Sequence, residues 1–122
     1  MKTILVVDDS RIMRNIVKNT FSLLKIPCQF IEAGDGVAAL QQLQSNPVDL
    51  ILLDWNMPEL LGIDFLKKVR AMGAYKNLPI IMVTSESARY NVVEALRSGA
   101  TDYIIKPVTE KVFLEKISSI SF

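Results

Sequence analysis

The chain has 122 residues, half of them hydrophobic, with 14 basic and 13 acidic side chains for a net charge of +1. This length suits one domain with its own core, and the balanced charge gives no field to draw the chain onto nucleic acid or an anionic membrane. The absence of histidine removes the commonest general base and the usual zinc ligand, and it excludes the chain as a phosphohistidine donor.

Strand and helix signals alternate along the chain. Thr3 to Val7 is a β-branched strand cut off by Asp8-Asp9. That apolar start is too short for a signal peptide or a membrane span, which predicts a cytoplasmic protein. Ser10 can cap a helix whose apolar residues Ile12, Met13, Ile16, Val17, Phe21 and Leu24 recur at helical spacing, with Pro27 as its stop. Cys28 to Ala33 reads as a second strand carrying a lone buried thiol, Gly34-Asp35-Gly36 as a turn, and Val37, Leu40 and Leu43 as a helix before Asn46-Pro47. Leu50-Ile51-Leu52-Leu53 is too short an apolar run for a helix and reads as a strand covered on both faces, with Asp54 at its end and Pro58 beyond. Gly62 opens a helix with Phe65, Leu66, Val69 and Met72 on one side, closed by Gly73. Ile80 to Val83 is a strand ending in Thr84-Ser85; a helix with Val92, Val93 and Leu96 breaks at Ser98-Gly99. The last strand is Tyr103-Ile104-Ile105, followed by Lys106-Pro107 and a helix from about Thr109 to the C-terminus at Phe122. Repeated βα units of this kind imply an α/β domain filling residues 1–122: a parallel sheet with right-handed crossovers and helices on both faces, and no appended output domain.

In such a sheet, ligands bind beyond the carboxyl ends of the strands. Asp8, Asp9, Asp54, Thr84 and Lys106 all stand at strand ends, so the topology should gather them at one edge. Each alone has an ordinary explanation as a helix cap, a turn residue or a solvated charge. Together they do not, because three clustered carboxylates repel one another unless a cation sits among them, and hard oxygen ligands such as Asp9 and Asp54 suit Mg²⁺. Lys106 and Thr84 can bind phosphoryl oxygens. The set is suited to carrying phosphate on Asp54.

These residues resemble a known family. Asp8-Asp9, Asp54 ahead of Met57-Pro58, Thr84-Ser85 and Lys106-Pro107 resemble the receiver domain of two-component response regulators, over essentially the whole chain. Asp54-Trp55-Asn56-Met57-Pro58 and Tyr103 are most similar to the stand-alone chemotaxis type. The resemblance implies a flavodoxin-like (βα)5 three-layer sandwich with strand order 2-1-3-4-5, and phosphorylation of Asp54 by a sensor histidine kinase. It implies that Asp9, Asp54 and the main-chain carbonyl of Asn56 bind Mg²⁺, with Asp8 acting through metal-bound water, and that Thr84 and Lys106 contact the phosphate. It further implies a cis peptide at Lys106-Pro107, tuning of hydrolysis by Asn56 and Glu86, and a switch in which Thr84 moves and Tyr103 turns, with Ser85 small enough to allow it.

The implied partners are the kinase, a downstream protein with a flagellar motor-switch component as candidate, and a phosphatase. The docking face would comprise the Val92-Val93 helix, the Tyr103 strand and the final helix with Lys111 and Lys116. The chain would be a signalling phospho-acceptor that assists its own chemistry, not an enzyme acting on other substrates. Two features depart from the pattern: Leu60-Leu61 stands before Gly62 where many receivers have an acidic residue, and is expected to pack down; Val108 stands where chemotaxis proteins often have phenylalanine. Within the family the alternatives are an intermediate in a multi-step phosphorelay and the receiver fragment of a larger regulator. A haloacid-dehalogenase-type phosphatase resembles the chain less, because that family wants an aspartate where Asn56 stands. A flavodoxin-like FMN carrier would have its phosphate repelled by Asp8-Asp9.

Overall fold

The computed structural model describes residues 1–120. β1 (Lys2–Val7), β2 (Cys28–Ala33), β3 (Leu50–Leu53), β4 (Ile80–Thr84) and β5 (Asp102–Ile105) form one sheet in the order β2-β1-β3-β4-β5, with every pairing parallel. The crossovers contain α1 (Arg11–Ser22), α2 (Gly36–Ser45), α3 (Gly62–Ala71) and α4 (Arg89–Arg97), and α5 (Glu110–Ser118) follows β5. The final helix expected to reach Phe122 is described only to Ser118, and Phe122 lies outside the described residues.

The continuous apolar runs follow from two cores rather than one. Side chains alternate across a strand, so Leu5 and Val7 of β1, Ile51 and Leu53 of β3, and Ile80 and Met82 of β4 pack with α2, α3 and Ala95 of α4 on one face. Ile4 and Val6, Leu50 and Leu52, and Ile81 and Val83 pack with α1 and α5 on the other. The second core centres on Phe21, whose ring meets Phe113 at 5.9 Å and Phe30 at 6.0 Å, edge-on in both cases. Each fully buried Leu, Ile or Phe is worth about 2–3 kcal/mol, which makes the sheet a stiff base for whatever its ends carry.

Caps define three helix starts: the side chains of Ser10, Asp35 and Thr109 accept from Met13, Ala38 and Val112 N–H at 3.2, 2.7 and 3.2 Å. Asp35 thus caps α2 as well as turning the chain. α1 stops at Ser22, earlier than Pro27 implies, because Lys25 takes a left-handed conformation (φ 57°) that no α-helix continues. Leu24 therefore packs from the loop, and Ile12 and Ile16 face outward, 73% and 41% exposed. The break after α4 uses Gly99 at φ 112°, where a side chain would be strained. Cys28 is half-buried on an edge strand, and burial pushes its thiol pKa up. No helix among the described residues is long and apolar enough to cross a membrane.

Candidate functional site

Strands β1 and β3 are neighbours at the middle of the sheet and Val7 pairs with Leu53, so Asp8 and Asp54 leave the ladder side by side. The Asp54 N–H donates to the Val7 carbonyl at 2.9 Å. Both aspartates are buried, 3% and 7% exposed, whereas Asp9 is exposed. One carboxylate oxygen from each of Asp8, Asp9 and Asp54 lies within 4.8 Å of the other two.

Lys106 enters from the end of β5. Its Nζ lies 2.8 Å from Asp8 Oδ2 and 3.5 Å from Asp54 Oδ2, so it bridges the two buried carboxylates. The second oxygen of each is fixed by backbone: Asp54 Oδ1 accepts the Trp55 N–H at 2.8 Å, and Asp8 Oδ1 accepts the Ser10 N–H at 2.9 Å. Asp9 has no side-chain partner among the described residues.

Burial raises the Asp54 carboxyl above its ordinary pKa, and the charge on Asp8 adds to this. The neighbouring Thr84 hydroxyl, the Lys106 ammonium and the Trp55 N–H pull the other way. A carboxylate that is short of solvation and close to two others is a good seat for a divalent cation. The hard oxygen donors and the unpartnered Asp9 fit Mg²⁺ rather than a softer metal.

On the far side, Thr84 is wholly buried and its hydroxyl accepts the Glu86 N–H at 3.2 Å. The Glu86 carbonyl accepts the Tyr103 hydroxyl at 2.6 Å, with the ring only 7% exposed. Burial, then the charges of Glu86 and Asp54, push the Tyr103 phenol up to about 12. Thr84 and Tyr103 therefore share one intermediary, Glu86, a linkage that spacing along the chain does not reveal.

The β3–α3 loop needs glycine at its end. A Cβ on Gly62 would lie 1.9 Å from the Asp54 carbonyl oxygen, and the Gly62 N–H donates to the Trp55 carbonyl at 2.8 Å. Trp55 and Met57 are buried, and Asn56 between them is exposed. The expectation that Leu60-Leu61 packs down holds for Leu60, which lies against Gly36 and the core, while Leu61 is 43% exposed at the start of α3. Lys106-Pro107 is cis. On the expected docking face, Val93, Leu96, Ile105 and Leu114 are exposed; Val92 instead packs on the core and Lys116 is held by Asp102 at 3.0 Å.

One residue of the site escaped the sequence. Arg14 reaches back from α1 to the Asp8 carbonyl at 2.6 Å, and an arginine in a helix gives no signal for such a contact.

A doubly wound sheet with three carboxylates, a lysine and a threonine at its carboxyl edge defines a receiver domain. Residues 4–118 match the family model of the response regulator receiver domain, and the chain belongs to that family. It is 47% identical over 115 residues to the chemotaxis protein CheY1 of Helicobacter pylori (strain J99), covering 93% of this chain and 92% of that protein. It is 44% identical over 117 residues to the chemotaxis protein CheY of Pseudomonas aeruginosa, covering 96% and 94%. Among solved structures, Vibrio cholerae CheY4 superposes with a TM-score of 0.88 at 33% identity over 99% of both chains. The Mn²⁺-bound form of response regulator Rcp1 superposes at 0.82 with 26% identity, over 98% of this chain and 91% of that one. The first three of these likenesses are to CheY-type chemotaxis receivers, which are signalling proteins and not conventional enzymes.

Proposed function

We propose that the chain is a phospho-acceptor: a sensor histidine kinase transfers its phosphoryl group to Asp54, and the acyl phosphate changes a protein-binding surface. The observation that carries this is the convergence of Asp8, Asp9 and Asp54 within 4.8 Å, with Lys106 bridging two of them. An Asp54 oxygen attacks phosphorus as the phosphorus–nitrogen bond to the donor histidine breaks; water later cleaves the acyl phosphate, returning carboxylate and inorganic phosphate. Mg²⁺, held by Asp9, Asp54 and the Asn56 main-chain carbonyl with Asp8 acting through water, would neutralise charge on the transferring oxygens. The similar response regulator Rcp1 has a Mn²⁺-bound form, which supports binding of a divalent cation by this fold.

The chain's own groups do the rest. Lys106 exchanges its carboxylate contacts for a phosphoryl oxygen, and Thr84 donates its hydroxyl to another. Asn56, exposed two residues after Asp54, helps position the attacking water, and Glu86 tunes hydrolysis, so Asn56→Lys should lengthen the phosphorylated lifetime. As Thr84 moves toward the phosphate, its contact with the Glu86 N–H loosens and Tyr103 can turn. The face bearing Val93, Leu96, Ile105 and Leu114 then docks the downstream protein, a flagellar motor-switch component in the chemotaxis reading, and the signal ends by hydrolysis with or without a phosphatase.

The test is intact mass after incubation with acetyl phosphate. A gain of one phosphoryl group that needs Mg²⁺ and disappears in Asp54→Asn is the expected result; no gain in the wild-type chain would withdraw the proposal.

A further inference from the structure

We infer that Arg14 is a positioning residue for the acidic triad, acting through the peptide that joins Asp8 to Asp9; the inference rests on the cation-binding reading above. Arg14 Nη1 donates to the Asp8 carbonyl at 2.6 Å and its Nε to Glu32 Oε1 at 3.0 Å. Lys18 holds the other Glu32 oxygen at 2.9 Å. Ala33, next along β2, accepts the Asp8 N–H at 3.1 Å. The contacts close a circuit from Asp8 through Arg14 and Glu32, along β2 to Ala33, and back to Asp8. The Arg14 side chain is only 16% exposed, while its Glu32 partner, 36% exposed, keeps part of its hydration; both bonds are charge-assisted.

The circuit acts on Asp9. A carbonyl and the following N–H share one rigid plane, so fixing the Asp8 carbonyl fixes the direction in which the chain enters Asp9. The Asp8 carboxylate is also held by Ser10 and Lys106. Asp9 is exposed and its carboxylate has no partner among the described residues. Its placement beside Asp8 and Asp54 thus depends on the backbone that Arg14 holds.

Charge and positioning make opposite predictions here. Coulomb's law alone says that deleting a cation near a divalent-cation site tightens Mg²⁺ binding, whereas losing the brace loosens it. The experiment titrates the full chain with Mg²⁺ and follows the fluorescence of Trp55, the single tryptophan, whose N–H is bonded to Asp54. Arg14→Met should weaken Mg²⁺ binding roughly three- to tenfold, at or below the low end for groups that orient metal ligands directly, since Arg14 acts through backbone. Lys18→Met removes the same charge from the same Glu32 partner without touching Asp8, and should stay within about twofold of wild type or bind tighter. Arg14→Lys keeps the charge but cannot span both acceptors, and should weaken binding by about threefold.

Arg14→Met binding as tightly as wild type or tighter overturns the inference, as does an equal loss in Lys18→Met. If Arg14→Met does not fold by circular dichroism, Arg14→Lys decides, and unchanged affinity there overturns it. A wild-type chain that binds no Mg²⁺ overturns the cation reading itself and this inference with it.

Discussion

On the β1–β2 side of the crevice, Arg14 ties the Asp8 backbone to Glu32 through charge-assisted bonds of 2.6 and 3.0 Å, and Lys106 reaches across from the end of β5 to the Asp8 carboxylate at 2.8 Å. On the β4–β5 side, Thr84 and Tyr103 are joined only by neutral hydrogen bonds through Glu86. The helices differ in the same sense. Neither α3 nor α4 has a side-chain cap, but α3 buries five residues, Gly62, Ile63, Phe65, Leu66 and Val69, whereas α4 buries only Ala95 and leaves Tyr90 76% and Leu96 44% exposed. The flank that must hold ligands in fixed geometry has its backbone tied by charge-assisted bonds from Arg14. The flank that must respond is built from bonds that can be exchanged, under a helix with little burial to lose.

The largest way to break this contrast is to spoil the rigid side. Gly62→Ala puts a methyl onto the Asp54 carbonyl, so the loop must move; we expect a loss of about 3 kcal/mol or more in urea unfolding together with loss of phosphate acceptance. A loss under about 1 kcal/mol would mean that the loop is softer than its packing says. Lys106→Met leaves buried Asp8 without its cation, which should cost about 2–3 kcal/mol and slow phosphorylation by roughly 100-fold, read by timed intact mass. The same variant should bind Mg²⁺ more tightly, since Lys106 no longer competes for Asp8 Oδ2.

A smaller effect of opposite sign comes from Asp54 itself. Burial raises its carboxyl above the ordinary 3.8, so the folded chain binds the proton more tightly than the unfolded chain. Stability therefore falls as pH rises from the ordinary carboxylate value through the folded one. In EDTA, Asp54→Asn should melt above the wild-type chain at neutral pH, with the gap closing as pH drops below the ordinary value; a gap that persists in acid would point to another cause.

The responsive side sharpens the comparison through small changes. Tyr103→Phe loses one hydrogen bond to the Glu86 carbonyl, worth about 1 kcal/mol, while keeping the buried ring. Leu96→Ser, at a position 44% exposed, should change stability by no more than about 0.5 kcal/mol yet weaken capture of a downstream partner by the phosphorylated chain. A large stability loss in Leu96→Ser would show that this residue belongs to the core after all.

The strands were readable because a parallel strand covered on both faces is apolar at every position, as Leu50 to Leu53 and Ile80 to Val83 are. Helix faces were less readable. Ile12, Ile16, Val93 and Leu96 have the spacing of core residues and are exposed, because periodicity marks a stripe without saying whether another element covers it. The end of α1 was misjudged for a local reason: Lys25 adopts a left-handed turn that its residue type does not announce.

Asp8, Asp9, Asp54, Thr84 and Lys106 could be nominated from the sequence because each ends or follows a strand, and a parallel sheet carries all such residues to one edge. That inference needs only topology. The bridge of Lys106 between Asp8 and Asp54, the Glu86 link between Thr84 and Tyr103, and the Arg14 brace on Asp8 are different in kind. They join side chains to other side chains or to backbone groups, up to 98 residues apart, and such contacts depend on where loops and rotamers settle once the cores have packed. Residue type and order therefore determined the sheet and the chemistry at its edge. Only the tertiary structure decided which of those groups are held fast and which are left free to move.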